Sequence, residues 1–207
     1  MGTKGEATRE NILGIAEQII LQKGFSGTSI DEIIEASNIT KGGFFYHFKG
    51  KEDLARHLML RYQVSDNHFF NTLFERADSL SEDPLHQMLI FLKLLAEAMG
   101  NLPTTHPGCL VASFTYESQQ FNEDVKAIIC ECLVGWRQLF IRKLASINDV
   151  HPMKIETDIM ELADMLTSII EGGIILSKAL NEPERLVNQI LQYRNHIRLL
   201  YGDIIQA

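Results

Sequence analysis

The chain has 207 residues, 45% hydrophobic and 22% charged, with a formal net charge of −8, ordinary values for a soluble globular protein. No apolar run approaches the roughly 18–20 residues of a membrane span, and the N-terminus MGTKGEATRENIL lacks the apolar stretch of a secretory signal. Three cysteines, Cys109, Cys130 and Cys132, are an odd and sparse set. They argue against a disulfide framework and for a reducing, cytoplasmic location.

The chain reads as all helix, since strand-like alternation is nowhere sustained. Thr8–Lys23 places Ile12, Ile15, Ala16, Ile19 and Ile20 at helical spacing, with Gly24 as a stop. Ser29-Ile30-Asp31-Glu32 is a capping box that opens a second helix over 30–37, with Ile30, Ile33 and Ile34 inward. Asn38-Ile39-Thr40 breaks the chain before a third, short helix over 41–48. A long helix follows from Lys51 to about Ala77, and Pro84 opens another to about Met99. The loop NLPTTHPG, residues 101–108, is the clearest break. Further helices are expected over 109–118, 122–147, 155–180 and 183–201, about nine in all. Neither an internal repeat nor a low-complexity segment is present.

Charge is unevenly divided. Residues 1–61 carry eight Lys/Arg and eight Asp/Glu, leaving eleven and nineteen of the totals for residues 62–207. Acidic residues are missing from Ala36 to Gly50, which holds Lys41 and Lys49. One basic patch on an acidic molecule attracts a polyanion in a single orientation.

The stretch TKGGFFYHFKGKEDL, residues 40–54, mixes glycines, rings and lysines. Two short helices joined by a tight break form a helix-turn-helix, whose second helix enters a DNA major groove. Thr40, Lys41, Gly42 and Gly43 sit at the end nearest the bases. The glycines cost about 1 kcal/mol each relative to alanine, which suits a backbone that must approach another surface. Phe45 and Phe48, three apart, are expected to pack back on the first two helices. Tyr46 and His47 have polar tips suited to phosphate oxygens, and Lys49 and Lys51 extend beyond the helix end. Thr28 and Ser29 offer a further backbone contact at the start of the preceding helix.

The order Thr-x-x-x-Ile, Gly-Phe, Thr-Ser, Gly-x-x-Tyr-His-Phe and Lys-x-Glu-x-Leu across residues 8–54 resembles the TetR/AcrR family of bacterial transcription regulators. The resemblance implies an all-helical homodimer. Each chain would have a three-helix DNA-binding head, residues 1–54, and a ligand-binding and dimerisation domain, residues 55–207. By position it implies that Thr28, Thr40, Lys41, Gly43, Tyr46, His47 and Lys51 face DNA. Where the family has Ala-Gly-Val before the recognition helix, this chain has Ser37-Asn38-Ile39; asparagine tolerates the left-handed backbone that glycine would supply.

In the acidic half, an apolar set on the last two helices is expected to pair two chains: Leu166, Ile169, Ile170, Gly173, Ile174 and Leu180, facing Leu186, Ile190, Leu191, Tyr193 and Ile197. Burial within one subunit is the alternative. Phe91, Leu95, Met99, Phe114, Trp136, Phe140 and Met165 suit either an apolar effector cavity or an ordinary core. Glu117 and Glu171 lie among apolar neighbours, and each suits a cationic or hydrogen-bonding ligand.

Cys109 follows His106-Pro107-Gly108 at an expected helix start, where a thiol ionises more readily. PGCLVASFTYE resembles a subgroup of the family with Gly-Cys-Leu at this point, some members of which sense electrophiles; that resemblance assigns Lys178 as the cysteine's companion. No metal-ligand spacing, phosphate loop or catalytic constellation stands out, so no metal or cofactor is expected. The expected function is a ligand-responsive repressor, binding a double-stranded operator as a homodimer and released by a small molecule. The alternatives are a redox or electrophile sensor acting through Cys109, and an all-helical enzyme with an incidental basic segment.

Overall fold

The computed structural model describes residues 4–202. Among them are nine α-helices: α1 (Lys4–Lys23), α2 (Ile30–Ala36), α3 (Lys41–His47), α4 (Lys51–Asp78), α5 (Pro84–Gly100), α6 (Leu110–Tyr116), α7 (Glu123–Asn148), α8 (Ile159–Leu180) and α9 (Glu184–Tyr201). A single 3₁₀ turn, Ser118–Gln120, follows α6. None of the described helices is long and apolar enough to cross a membrane.

Side-chain caps set several boundaries. Ser29 accepts from the Glu32 amide (3.2 Å), Thr40 from the Gly43 amide (3.1 Å), and Asp83, just before Pro84, from the His86 amide (2.8 Å). Each satisfies an amide that the first helical turn leaves unpaired. The Glu32 carboxylate answers with a backbone hydrogen bond at Ser29, as the capping box requires, and also pairs with Lys23. α8 starts later than the expected residue 155, because Asp158 accepts from the Met160 amide (2.7 Å) and caps it there. Gly24 ends α1 at φ +82°, a backbone that L side chains rarely adopt.

The chain forms two compact units, one from Met1–Ser65 with Pro107–Cys132, the other from Asp66–His106 with Leu133–Ala207. These units are drawn by packing and differ from the chain-order division expected after residue 54. In the first, Ile12, Leu13, Ala16 and Ile20 of α1 are buried, as are Ile33, Phe44, Leu54 and Leu58. Phe25, Phe114 and Phe121 add a ring cluster, with Phe114 and Phe121 stacked at 4.6 Å.

In the second unit α5 and α8 both pack on α9. The Tyr193 hydroxyl donates to the Leu162 carbonyl (2.8 Å), and Arg194 Nε donates to the Leu89 carbonyl (2.9 Å). Here the sequence expectation needs correction. Leu166, Gly173, Ile174, Leu186, Ile190, Tyr193 and Ile197 are all buried within the single chain. The close approach at Gly173 is intrachain, since a Cβ there would lie 2.8 Å from Leu186 Cδ1 and 3.0 Å from its Cα. The rest of the expected set is not buried: Leu180 is exposed, and Ile169, Ile170 and Leu191 are half-buried; Met165, Ile175 and Leu176 are exposed beside them, and a Cβ at Gly172 would meet nothing within 4 Å.

Candidate functional site

Between α2 and α3 the chain turns through Asn38, whose φ of +52° is the left-handed conformation expected for it. α3 then presents two faces. Phe44 and Phe48 are fully buried, holding the helix against α2 and the start of α4; each ring contributes roughly 1.5–3 kcal/mol by leaving water. Lys41, Gly42, Phe45 and Tyr46 face outward, with Tyr46 82% exposed.

Phe44, not Phe45, is therefore the inward ring. α3 ends at His47 and Phe48 is extended (φ −136°, ψ 132°), so the helical spacing assumed between Phe45 and Phe48 does not apply. Lys41 Nζ lies 3.5 Å from Asp31 Oδ1, both side chains being mostly in solvent, a pairing of small worth. The His47 ring is half-buried, 4.9 Å from Tyr46. Lys49 is exposed, and its backbone N–H donates to Asp53 Oδ2 (2.9 Å). Ser29 and Thr40 are exposed at the starts of α2 and α3, and Gly43 is half-buried.

Two residues expected at the DNA surface have partners within the protein. Thr28 is 2% exposed, and its hydroxyl donates to the Gly24 carbonyl (2.8 Å), closing the turn after α1. Lys51 Nζ donates to the Phe25 carbonyl (2.5 Å) and lies 4.3 Å from the centre of the Phe25 ring. Burial depresses the Lys51 pKa, the Glu117 carboxylate opposes that shift and Lys23 adds to it.

Glu117, expected to receive a ligand, instead grips the α1–α2 turn. Its carboxylate accepts from the Phe25 amide (2.7 Å), the Ser26 amide (2.8 Å) and the Ser26 hydroxyl. Burial would raise its pKa, but the Ser26 hydroxyl, the two amides and Lys51 hold it below the usual carboxylate value. Phe114 belongs to the same corner through its contact with Phe25. Neither residue shares the second unit with the other expected ligand positions.

In that second unit, Phe91 and Phe140 join Phe70 and Phe74 in a buried cluster, Phe74 and Phe91 stacking at 3.7 Å. Leu95 is buried, Met99 half-buried and Met165 exposed. Trp136 is buried and donates its indole N–H to Asp66 Oδ2 (2.5 Å). Asp66 went unnoticed in the sequence, although it lies four residues before Phe70 and so in phase with an apolar stripe. Burial raises its pKa to about 6, against the pull of the Trp136 hydrogen bond and with the Glu171 charge adding to the rise. Lys178 is in the last turn of α8. Burial lowers the pKa of His106, and the Lys178 charge lowers it further. Cys109 belongs to the first unit, where it caps α6. Its sulfur accepts from the Ala112 amide (3.5 Å) and lies 3.6 Å from the Tyr62 hydroxyl.

Two family descriptions match the chain: bacterial regulatory proteins of the tetR family over residues 12–58, and the tetracyclin repressor-like C-terminal domain over residues 88–191. An uncharacterised HTH-type transcriptional regulator of Bacillus subtilis, YxaF, is 26% identical over 86% of this chain and 87% of its own length. The transcriptional repressor NemR of Escherichia coli is 22% identical over 92% and 94%. A TetR-family regulator from Agrobacterium tumefaciens shares the fold with a TM-score of 0.79 at 17% identity, covering 96% of this chain and all of that one. The E. coli NemR structure in its reduced form gives 0.76 at 21%, with the same coverage. The helix-turn-helix of α2 and α3, the helical remainder and both family matches agree: the chain belongs to the TetR family of bacterial transcription regulators.

Proposed function

We propose that the protein is a cytoplasmic, ligand-responsive repressor rather than an enzyme, and that it acts as a homodimer on a near-palindromic operator. The observation that carries this reading is the outward face of α3, where Lys41, Gly42 and Tyr46 stand clear of the core on a helix fixed by Phe44 and Phe48. A groove-entering helix needs that combination of exposed polar residues and a rigid back. Thr40, Ser29, His47 and Lys49 border the same face and supply hydroxyl, imidazole and ammonium groups for phosphates.

Pairing is supported by the stripe Met165, Ile169, Gly172, Leu176 and Leu180 along α8, apolar or small at helical spacing and half-buried or exposed in the single chain. A homodimer carries two α3 helices, which suits an operator whose half-sites lie about one turn of DNA, roughly 34–36 Å, apart. For the effector, Asp66, bonded to Trp136 and within reach of the Glu171 charge, favours a cationic or hydrogen-bond-donating molecule. Its differential affinity for two arrangements of the dimer supplies the response, typically about 1–3 kcal/mol. Selecting duplexes from random DNA with the full chain tests the reading. A two-half-site consensus bound less tightly as salt rises is expected; recovery of no consensus would overturn it.

A second reading makes Cys109 the sensor, and the placement of the Ala112 amide and the Tyr62 hydroxyl around its sulfur supports it. Under this reading Cys109→Ser binds the selected duplex normally but no longer releases it on treatment with oxidant or electrophile. Release that persists in this variant rules the thiol out.

A further inference from the structure

Of the eleven phenylalanines in the chain, nine are buried and Phe69 is half-buried; Phe45 alone is exposed, at 46%. It is also one of the two phenylalanines of α3 and its end, with Phe48, that the sequence pattern consigns to the core. An isolated exposed apolar side chain needs no explanation in general, but this one lies on the outward face of α3. At about 100° per residue, Lys41, Phe45, Gly42 and Tyr46 follow one another across an arc of roughly 140°, with Phe45 inside it.

The ring is held in place. Its centroid lies 5.4 Å from that of buried Phe44, in edge-to-face geometry (85°). A helical side chain leans toward the N-terminal end of its helix, here the turn that carries Lys41 and Gly42. The surface at Gly42 is open: within 4 Å a Cβ built there would meet only the Thr40 hydroxyl, at 3.9 Å. Phe45 is thus an exposed ring on the same outward face as Lys41, Gly42 and Tyr46.

A phenyl ring neither donates nor accepts an ordinary hydrogen bond, so it cannot read the polar edges of bases or grip a phosphate oxygen. The major groove displays one apolar group at its edge, the 5-methyl of thymine. We propose that Phe45 is a specificity-determining residue that selects a thymine in each half-site by covering its methyl group. The proposal rests on the DNA-binding reading above and adds to it which base is read and by what chemistry. Lys41 and Tyr46 flank the ring and supply polar contacts that do not depend on that methyl.

The test uses the full chain and the duplex it selects from random DNA. Each thymine is replaced in turn by deoxyuridine, which lacks only the methyl, and affinities are measured for the wild type, Phe45→Ala and Phe45→Leu. At one symmetric pair of positions, the wild type is expected to lose about fourfold per half-site, the factor that goes with withdrawing one methyl-sized group from contact. Phe45→Ala should bind the thymine and deoxyuridine duplexes equally at those positions. Phe45→Leu, which keeps apolar bulk, should retain part of the discrimination. If Phe45→Ala weakens all duplexes alike and still distinguishes thymine from deoxyuridine, the ring does not read the methyl and the proposal fails while DNA binding stands. If the wild type selects no duplex, the DNA-binding reading fails with it.

Discussion

On the outer face of α3, Lys41 keeps its ammonium in solvent with Asp31 3.5 Å away. Where α6 meets the turn after α1, Lys51 turns its ammonium onto the Phe25 carbonyl and ring, with the Glu117 carboxylate close by. Both lysines come from the stretch of residues 40–54 and both are expected at DNA, Lys41 nearest the base edges and Lys51 at a phosphate. Hydroxyls divide the same way: Thr40 stands exposed at its cap while Thr28 is sealed against Gly24. The difference is made by a partner that local sequence cannot reveal. Glu117 is 92 residues from Phe25, and it organises the inner corner into a network of charge-assisted hydrogen bonds, which are stronger than neutral ones.

Removing that partner is the most forceful way to break the contrast. Glu117→Ala leaves the Phe25 and Ser26 amides without their acceptor and should destabilise the protein by about 2–3 kcal/mol, read by urea or thermal unfolding. The native carboxyl is held below its ordinary value of 4.5. Its contribution is therefore complete above that pH and lost on further acidification, and Glu117→Gln should flatten that part of the stability–pH profile.

Asp66 offers the opposite case, a carboxyl with one named donor and a neighbouring like charge. Its native pKa of about 6 lies above the ordinary 3.8. The sign is reversed: folding is least burdened below 3.8, and a penalty grows as pH rises toward 6. Asp66→Asn keeps an acceptor for Trp136 and should stabilise the protein at pH 7 by about 1–2 kcal/mol, with no gain near pH 3.5.

Lys51→Ala and Lys41→Ala sharpen the comparison directly. The first should lower stability by about 1 kcal/mol and leave the salt dependence of DNA binding unchanged. The second should leave stability unchanged within about 0.5 kcal/mol and alter either base preference or the salt slope. A reduced slope in Lys51→Ala would show that this lysine leaves its inner site for a phosphate when DNA is present.

The smallest effect concerns Ser37, whose buried hydroxyl has no hydrogen-bond partner among the described residues. Replacing it by the alanine usual at this place in the family should stabilise the protein by about 0.5–1 kcal/mol, measured by the shift in urea midpoint.

The sequence by itself determined the elements of the head and their punctuation. Ser29 and Thr40 as caps, Gly24 as a stop and Asn38 as a left-handed turn are decisions of one residue and its neighbours, made by backbone sterics and hydrogen bonding within a few positions. It also determined that α8 and α9 are amphipathic. Only the tertiary structure decided which face of each is used. Gly173 packs against Leu186 while Gly172, next to it, stays open. Phe44 turns in while Phe45 turns out, and Glu117 and Lys51 serve the protein's own turn. Burial and ion pairing depend on what lies opposite a side chain in space, and residues far apart in the chain supply it.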